Sequence, residues 1–145
     1  MEIENNINKI KTGSGMMIRK QIYPIDYVFQ KLGNSIYSTR KTFIDFNGEQ
    51  IKANSQRYIV FKEKGCVCAI CGMQATYFAL ERHIDTERFH LNLYGVDEYG
   101  KERLFTKDHI HPKSKGGVSE IDNYQTMCIV CNEKKKDDVR CESDE

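Results

Sequence analysis

The sequence has no long apolar run, no internal repeat and little net charge. No stretch approaches the roughly 18 apolar residues that a membrane-spanning helix needs. The polar start MEIENNINKIK lacks the apolar segment of a secretory signal. A protein without a membrane segment or signal peptide is therefore expected. The formal net charge is +1, but residues 101–136 carry eight Lys and Arg against five Asp and Glu. A local basic cluster of this kind is compatible with a polyanionic partner.

The chain contains six cysteines, and four of them form two Cys-x-x-Cys pairs. Cys68 pairs with Cys71, and Cys128 pairs with Cys131; the two-residue gap lets both sulfurs of a pair bind one ion. In a reducing compartment, such cysteines are more often metal ligands than disulfides. Four thiolates give Zn²⁺ a closed tetrahedral shell with no open position. The sequence therefore predicts a structural zinc site.

Other interpretations of the cysteines stay open at this point. The four thiols could be buried without a metal, and a redox motif is a weaker alternative because neither pair lies in an α/β pattern. Cys66 competes with Cys68 as a ligand, but its gap to Cys71 is wrong for a pair. Cys66 and Cys141 are interpreted as free thiols.

A mixture of polar side chains is concentrated between Thr106 and Asn132. Asp108 and His109 are adjacent on a predicted strand, and Asn132 directly follows the second cysteine pair. Carboxylate and carboxamide oxygens are suitable ligands for Mg²⁺ or Mn²⁺. An imidazole beside them can take a proton from water. Pro112 predicts that the strand ends near His109, which would let Asp108 and His109 face one cleft.

The apolar periodicity and the turn residues predict an α+β fold. Residues 1–23 are predicted to be a flexible polar arm, with phosphate contacts by its basic residues as the alternative. Helices are predicted at 24–32, 56–64 and 129–139, with Ser55 as the cap of the second helix. A hairpin is predicted at 42–53 around Asn47-Gly48, and strands at 75–81, 89–94 and 103–110.

This region resembles the HNH endonuclease family, also called the ββα-metal or His-Me finger family. The resemblance rests on Asp108-His109, Asn123 and Asn132 at their spacing, and on the phrases DHIHPKSKGG and NYQTMCIVCN between and around the cysteine pairs. It covers residues 55–138. The resemblance implies a two-stranded hairpin packed on one helix, which grips a divalent cation. The expected fold is this core braced by the four-cysteine zinc site, with an N-terminal helix and hairpin as an extension.

The resemblance also implies a role for each residue of the motif. His109 would be the general base that activates a water molecule. Asp108 and Asn132 would bind the catalytic Mg²⁺ or Mn²⁺, while Asn123 would pin the loop and keep His109 oriented. The last histidine of the family name is replaced by Asn132, which still offers a metal-binding oxygen. His111 has no fixed place in this scheme and is expected to cover the loop.

Five lysines near the motif are expected to line a DNA backbone, where basic side chains supply affinity without sequence information. They are Lys113, Lys115, Lys134, Lys135 and Lys136. An ordinary solvated face is the alternative. His83 and His90, in the acidic segment between the cysteine pairs, are interpreted as surface residues.

These expectations combine into a prediction of function. The chain is expected to be a metal-dependent DNA endonuclease that hydrolyses phosphodiester bonds of double-stranded or branched DNA, one strand per active site. A double-strand break would then require a homodimer or sequential nicks. The alternatives are a zinc-stabilised nucleic-acid-binding module without catalysis, and a zinc protein that acts through protein contacts.

The expected organisation has three parts. Residues 1–54 form an N-terminal extension, residues 55–138 form the nuclease domain, and residues 139–145 form an acidic disordered tail. By analogy with free-standing endonucleases of bacteriophages and bacteria, the expected location is the cytoplasm of a bacterial cell, with a bacterial or phage gene as the source.

Overall fold

A computed structural model describes residues 9–12 and 15–135 of the 145-residue chain. Within these residues, helix α1 spans Ile25–Leu32, helix α2 spans Gln56–Glu63, and helix α3 runs from residue 129 to 135. The strands are β1 (Lys9–Thr12), β2 (Gly15–Pro24), β3 (Phe43–Phe46), β4 (Glu49–Lys52), β5 (Tyr77–His83), β6 (His90–Val96), β7 (Glu102–His109) and β8 (Tyr124–Cys128). The fold is mixed α+β.

Six strands form one antiparallel sheet in the order β1-β2-β5-β6-β7-β8, while β3 and β4 form a separate hairpin. Edge strand β8 is covered by the segment that carries the first cysteine pair. The Ala69 N–H donates to the Thr126 carbonyl at 2.9 Å, and the Thr126 hydroxyl donates to the Gly65 carbonyl at 2.5 Å. A covered edge cannot pair with the strand of another chain.

The core lies between one face of the six-stranded sheet and helices α1 and α2. Opposite residues of an antiparallel pair point to the same face, and the β5–β6 register therefore aligns four buried side chains on the core face: Phe78, Leu80, Leu91 and Leu93. The rings of Tyr58 and Phe61 from α2 pack against Phe78 with centroids 6.3 Å away in each case. Full burial of one such side chain contributes roughly 1.5–3 kcal/mol.

Most elements expected from the sequence are present with bounds within two residues of those predicted. The hairpin turn contains Asn47 at φ 51° and Gly48 at φ 87°, as a tight two-residue turn requires. Ser55 is the N-cap residue of α2, as predicted, but its side chain makes no capping hydrogen bond. Strand β8 was not predicted. None of the helices in the described part of the chain is long and apolar enough to cross a bilayer.

The flexible arm expected at residues 1–23 is wrong for the part that the structure describes. Residues 9–12 form β1 and residues 15–24 form β2, which pairs with β5 along most of its length. The N-terminal segment therefore shares the sheet that carries the candidate site. Residues 1–8, residues 13–14, Lys136 and the acidic tail lie outside the described residues.

A buried charge network explains how such a polar segment is stable within the sheet. Arg19 of β2 contacts Glu81 at 2.7 Å and Glu102 at 2.8 Å. The Tyr94 hydroxyl donates to Glu81 at 2.9 Å, and the Tyr77 hydroxyl donates to Glu102. The Glu81 side chain is fully buried, and burial raises its pKa, although Arg19 and Tyr94 oppose the shift. The network joins β2 to β5, β6 and β7.

Candidate active site and metal centre

Four cysteine sulfurs from the two Cys-x-x-Cys pairs meet at one point. The Sγ atoms of Cys68, Cys71, Cys128 and Cys131 all lie within 4.8 Å of one another. Those of Cys71 and Cys128 are 3.8 Å apart, too far for a disulfide. Sulfurs bound at about 2.3 Å to one zinc ion stand about 3.8 Å apart at the corners of a tetrahedron. The predicted thiol cluster is therefore confirmed, and its dimensions fit zinc.

A tight turn holds the first cysteine pair, and the junction between β8 and α3 holds the second. In the first, the Cys68 N–H donates to the Met73 carbonyl at 2.9 Å, and the Gly72 N–H donates to the Cys68 carbonyl at 3.0 Å. The turn needs a left-handed residue, which is Gly72 at φ 79°. In the second, Cys128 ends β8 and Cys131 lies in the first turn of α3. A strand end and a helix start thus share one cluster with a loop from the earlier part of the chain.

The surroundings of Cys68 favour the thiolate form that binds metals. Burial raises the pKa of this thiol, but N–H groups of Cys71, Cys128 and Ile70 donate to its sulfur and bring the pKa down to about 6. At Cys131, burial and the neighbouring sulfurs raise the pKa. Metal binding to such a cluster releases the remaining thiol protons.

Cys66 stands apart from the cluster. Its Sγ lies 3.5 Å from the Phe61 carbonyl oxygen, and burial raises the pKa of its thiol to about 11. Both facts describe a half-buried, protonated thiol, so the structure does not support Cys66 as a substitute for Cys68. Cys141 lies outside the described residues.

A second group of ligating atoms lies where α3 crosses β7. The Asn132 side-chain N–H donates to the Thr106 hydroxyl at 2.8 Å, and the Lys135 ammonium donates to Asp108 Oδ2 at 2.6 Å. Thr106 and Asp108 are two residues apart on a strand and share a face, while Asn132 and Lys135 are three apart on a helix and share a face. Asn132 and Lys135 therefore lie on the side of α3 that faces Thr106 and Asp108 of β7.

The carboxamide oxygen of Asn132 has no hydrogen-bond partner in the described part of the chain, although the residue is only 6% exposed. Leaving a buried acceptor unpaired costs about 1–3 kcal/mol. A buried oxygen without a partner therefore suggests a functional role for Asn132. A divalent cation held by this oxygen and the Asp108 carboxylate would supply that partner, because hard oxygen donors suit Mg²⁺ or Mn²⁺. The residues present therefore fit a catalytic cation.

Lys135 points into this same group of oxygens. Its ammonium donates to Asp108 Oδ2 and to the His109 main-chain carbonyl, with the Ile110 carbonyl 3.4 Å away. The side chains of Lys135 and Asp108 are 25% and 16% exposed. The sequence predicted that Lys135 contacts the DNA backbone. In this structure its ammonium contacts oxygen atoms of the protein.

His109 ends β7 on the other face of the sheet. It is paired with Tyr124 in the β7–β8 ladder, and the two rings lie with centroids 4.8 Å apart. His109 Nε2 is 3.2 Å from the Ser119 hydroxyl oxygen. Because the ladder continues through His109, alternation places Asp108 and His109 on opposite faces of the strand. The expectation that the end of the strand would let Asp108 and His109 face one cleft is therefore wrong in this structure, and their joint action on one phosphate stays a prediction.

Asn123 ties together the two sides of the loop that follows His109. Its Oδ1 accepts the His111 N–H at 2.9 Å, and its side-chain N–H groups donate to the carbonyls of His111 at 3.2 Å and Val118 at 2.7 Å. Its main-chain carbonyl accepts the Ile110 N–H at 2.7 Å. The loop is so narrow that a Cβ on Gly117 would approach the His111 carbonyl oxygen to 1.9 Å. These bonds fix the chain directly after His109.

A comparison with family models covers this part of the molecule. Residues 97–144 match the model of the HNH endonuclease family. The resemblance to that family is confirmed for this segment. The match spans one third of the chain, including β7, β8 and α3, but it excludes the first cysteine pair. Searches of curated proteins and of solved structures gave no match.

The surface around the HNH segment carries basic side chains. Lys113 and Lys115 in the loop and Lys134 on α3 are exposed, as the predicted DNA contacts require, while Lys136 lies outside the described residues. Sequence reasoning missed Lys107, whose ammonium lies 4.2 Å from the Tyr124 ring centroid on the same sheet face as His109.

Three histidines have no assigned role in the motif, and they lie at the protein surface or on the loop. His111 Nε2 lies 2.8 Å from the Lys115 carbonyl oxygen, so this ring packs onto the loop. His83 is partly exposed with Nδ1 3.6 Å from Asp85, and His90 is exposed at the start of β6.

Sequence reasoning also missed the neighbours of the site residues in the HNH segment, which are Thr106, Ser119 and Tyr124. Thr106 is detectable in principle, because it stands two positions before Asp108 on the same strand face. Ser119 lies in an irregular loop, and its contact with His109 depends on the loop's path. Tyr124 depends on the register of β8, a strand of five residues with no clear alternation.

Proposed function

We propose that the protein is a metal-dependent DNA endonuclease that hydrolyses phosphodiester bonds, one strand per active site. The observation that carries this proposal is the buried oxygen of Asn132, which has no partner in the described part of the chain and lies on the side of α3 that faces the strand of Asp108, within a segment that matches the HNH endonuclease family. A nuclease needs a site that a cation can complete, and these two residues offer one.

Strands β7 and β8 with helix α3 form the proposed ββα-metal unit. The two strands are antiparallel and adjacent, and α3 follows β8 directly. Cys131 belongs to the thiol cluster, and Asn132 follows it in the helix. Zinc at that cluster would therefore fix the first turn of α3 and, through it, the position of Asn132.

His109 is the proposed general base. When its Nε2–H donates to the Ser119 hydroxyl, Nδ1 carries the free lone pair and accepts a proton from the attacking water. Asn123 holds the chain that follows His109 through its bonds to the loop. It is thus proposed as a positioning residue for the base.

Asp108 and Asn132 are the proposed ligands of the catalytic cation, Mg²⁺ or Mn²⁺. A bound divalent cation polarises the scissile phosphate and stabilises the leaving oxygen. The protein's part is to hold two oxygens at fixed places: Asn132 through its bond to Thr106, and Asp108 through its position on β7.

The DNA is proposed to lie against the exposed lysines that flank these residues. Lys113, Lys115 and Lys134 are exposed in the described part of the chain, and Lys136 is proposed with them from the sequence. Contacts of ammonium groups with phosphates are sequence-independent and weaken with salt. Double-stranded or branched DNA is the proposed substrate, and a homodimer the proposed route to a double-strand break in one event.

The nuclease domain is proposed to span residues 55–138, with residues 1–54 as an extension and 139–145 as a tail. The pairing of β2 with β5 supports a joint fold of the first two parts. A bacterial cytoplasmic location, with a bacterial or phage gene as the source, is proposed by analogy.

A plasmid-nicking assay tests the proposed function. Supercoiled DNA is incubated with zinc-loaded protein in EDTA, Mg²⁺ or Mn²⁺, beside His109→Ala. Conversion to open circles that needs a cation and is lost in the variant is the expected result, and linear product would support a dimer. A folded, zinc-loaded protein that cuts neither supercoiled nor branched DNA would contradict the proposal.

A nucleic-acid-binding module without catalysis is the second candidate. The observation that favours it is the Lys135 ammonium on Asp108, which neutralises a proposed cation ligand. This candidate predicts salt-dependent binding of DNA together with no cation-dependent nicking.

A further inference from the structure

The Lys135 ammonium is surrounded by oxygen atoms of one small region. It donates to the Asp108 carboxylate at 2.6 Å and to the His109 main-chain carbonyl, and it lies 3.4 Å from the Ile110 carbonyl. An ammonium has three N–H donors and no acceptor. All of its donors are therefore directed at oxygens that carry full or partial negative charge.

These contacts put a cation at the Asp108 carboxylate before any divalent cation arrives. Asn132, one helical turn before Lys135, is more than nine-tenths buried, and its Oδ1 has no hydrogen-bond partner in the described part of the chain. Lys135 therefore satisfies Asp108 without satisfying Asn132. A divalent cation bound by both residues would give both oxygens a partner.

A divalent cation and the ammonium compete for the negative charge of the Asp108 carboxylate. Two positive charges on the same carboxylate repel strongly at distances of a few ångströms when the groups are partly shielded from water. The Lys135 side chain is long and has several rotatable bonds, so its ammonium can leave the carboxylate by side-chain rotation without movement of the backbone.

We propose that Lys135 is an internal competitor of the catalytic cation, which occupies Asp108 in the metal-free protein and must leave before Mg²⁺ or Mn²⁺ binds. This inference rests on the proposed function, because it takes Asp108 and Asn132 as the cation site. Lys135 thereby sets the concentration of cation at which the site is filled. The apparent dissociation constant equals the intrinsic one divided by the fraction of molecules with a free carboxylate.

The test is the affinity of zinc-loaded protein for Mn²⁺ in the absence of DNA, measured by electron paramagnetic resonance of the free ion. Lys135→Met removes the ammonium and keeps most of the apolar stem. Lys134→Met, its exposed neighbour on α3, removes the same charge without touching Asp108 and is the matched control. Asp108→Asn removes the proposed ligand. The zinc content and the thermal unfolding midpoint of each variant establish that it is folded.

The expected result is tighter Mn²⁺ binding by Lys135→Met, about tenfold if the ammonium holds the carboxylate for nine-tenths of the time. Lys134→Met should bind as the wild type does. Equal or weaker binding by Lys135→Met, or an equal gain in Lys134→Met, would overturn the inference.

The same titration separates this inference from the proposed function. If neither the wild type nor Lys135→Met binds Mn²⁺ better than Asp108→Asn does, the cation site itself is wrong, and both proposals fail. If Lys135→Met binds more tightly but cuts no DNA, the competition stands and the nuclease proposal fails.

Discussion

The thiol cluster and the oxygen site are neighbours on α3, yet they differ in how complete they are. The cluster brings together four sulfurs, one pair from each of two distant parts of the sequence. The oxygen site offers Asp108 and Asn132, with an unpaired buried oxygen and a lysine on the carboxylate. A closed shell of protein ligands is typical of structural metals, and open positions are typical of catalytic ones.

Adjacent residues of α3 serve these different sites because of helix geometry. Successive helical positions diverge by about 100°, so Cys131 faces the sulfurs while Asn132 faces Thr106. One helical turn thus places a candidate structural metal site next to a candidate catalytic site. The two sites meet at adjacent residues of α3, and they differ in the number of ligands that the protein supplies. That number distinguishes the proposed structural role from the proposed catalytic role.

The largest expected effect is that of zinc removal. Structural zinc contributes on the order of 10–16 kcal/mol in zinc-finger peptides, as much as the whole net stability of a typical domain. Chelation of zinc should therefore unfold the HNH segment, as circular dichroism would show. Cys68→Ser should mimic chelation, and Cys66→Ser, outside the cluster, should not. A native spectrum without zinc would contradict the structural role.

The next effect is loss of the proposed base. His109→Ala should lower the rate of DNA cleavage by about 10²–10⁴-fold, the usual contribution of a general base. His111→Ala is the matched control, because His111 packs onto the loop and should lose much less. Zinc content and the unfolding midpoint should not change in either variant. Equal losses in the two variants would remove His109 from its proposed role.

The Arg19 network contrasts with the oxygen site, because its buried carboxylate, that of Glu81, has hydrogen-bond partners. Arg19→Met leaves Glu81 buried without its cation, which costs about 3–5 kcal/mol in comparable cases. Lys20→Met breaks the exposed pair with Glu49 and should cost less than about 1 kcal/mol. Urea unfolding of both variants measures the difference. Similar losses in the two would show that the network does not hold β2 in the sheet.

The smallest expected change in stability is at Asn132. Asn132→Leu removes a buried oxygen whose lack of a partner destabilises the fold by about 1–3 kcal/mol. It also removes the hydrogen bond to Thr106, which stabilises the fold by about 1 kcal/mol. The free energy of unfolding should therefore stay level or rise, while Mn²⁺ binding is lost. A large drop in stability would show that Asn132 is a structural residue rather than a ligand.

Local patterns in the sequence carried the motif-based predictions. The Cys-x-x-Cys spacing predicted which sulfurs would meet, and the cluster is confirmed. The Asn47-Gly48 turn and the apolar spacing of α1 and α2 predicted those elements because their causes lie within a few residues. The HNH resemblance rested on short-range spacing in the same way.

Contacts between residues far apart in the sequence could not be predicted from local patterns. Residues 15–23 were predicted as part of a polar arm, but they lie in a strand that pairs with β5. Arg19 of this strand contacts Glu81 and Glu102, 62 and 83 residues further on. No local pattern announces such partners. The positions of Lys135 on Asp108 and of Ser119 near His109 have the same origin, since each depends on how α3 or the loop lies on β7.

The most direct test of two metal sites with separate roles is one plasmid-nicking assay on protein of known metal content. The protein is treated with EDTA under conditions that leave one zinc per chain, verified by elemental analysis of the same sample. The account predicts no nicking in this state and full recovery on adding Mg²⁺ or Mn²⁺. Nicking by the zinc-loaded protein with no second cation, or none with any cation, would contradict it.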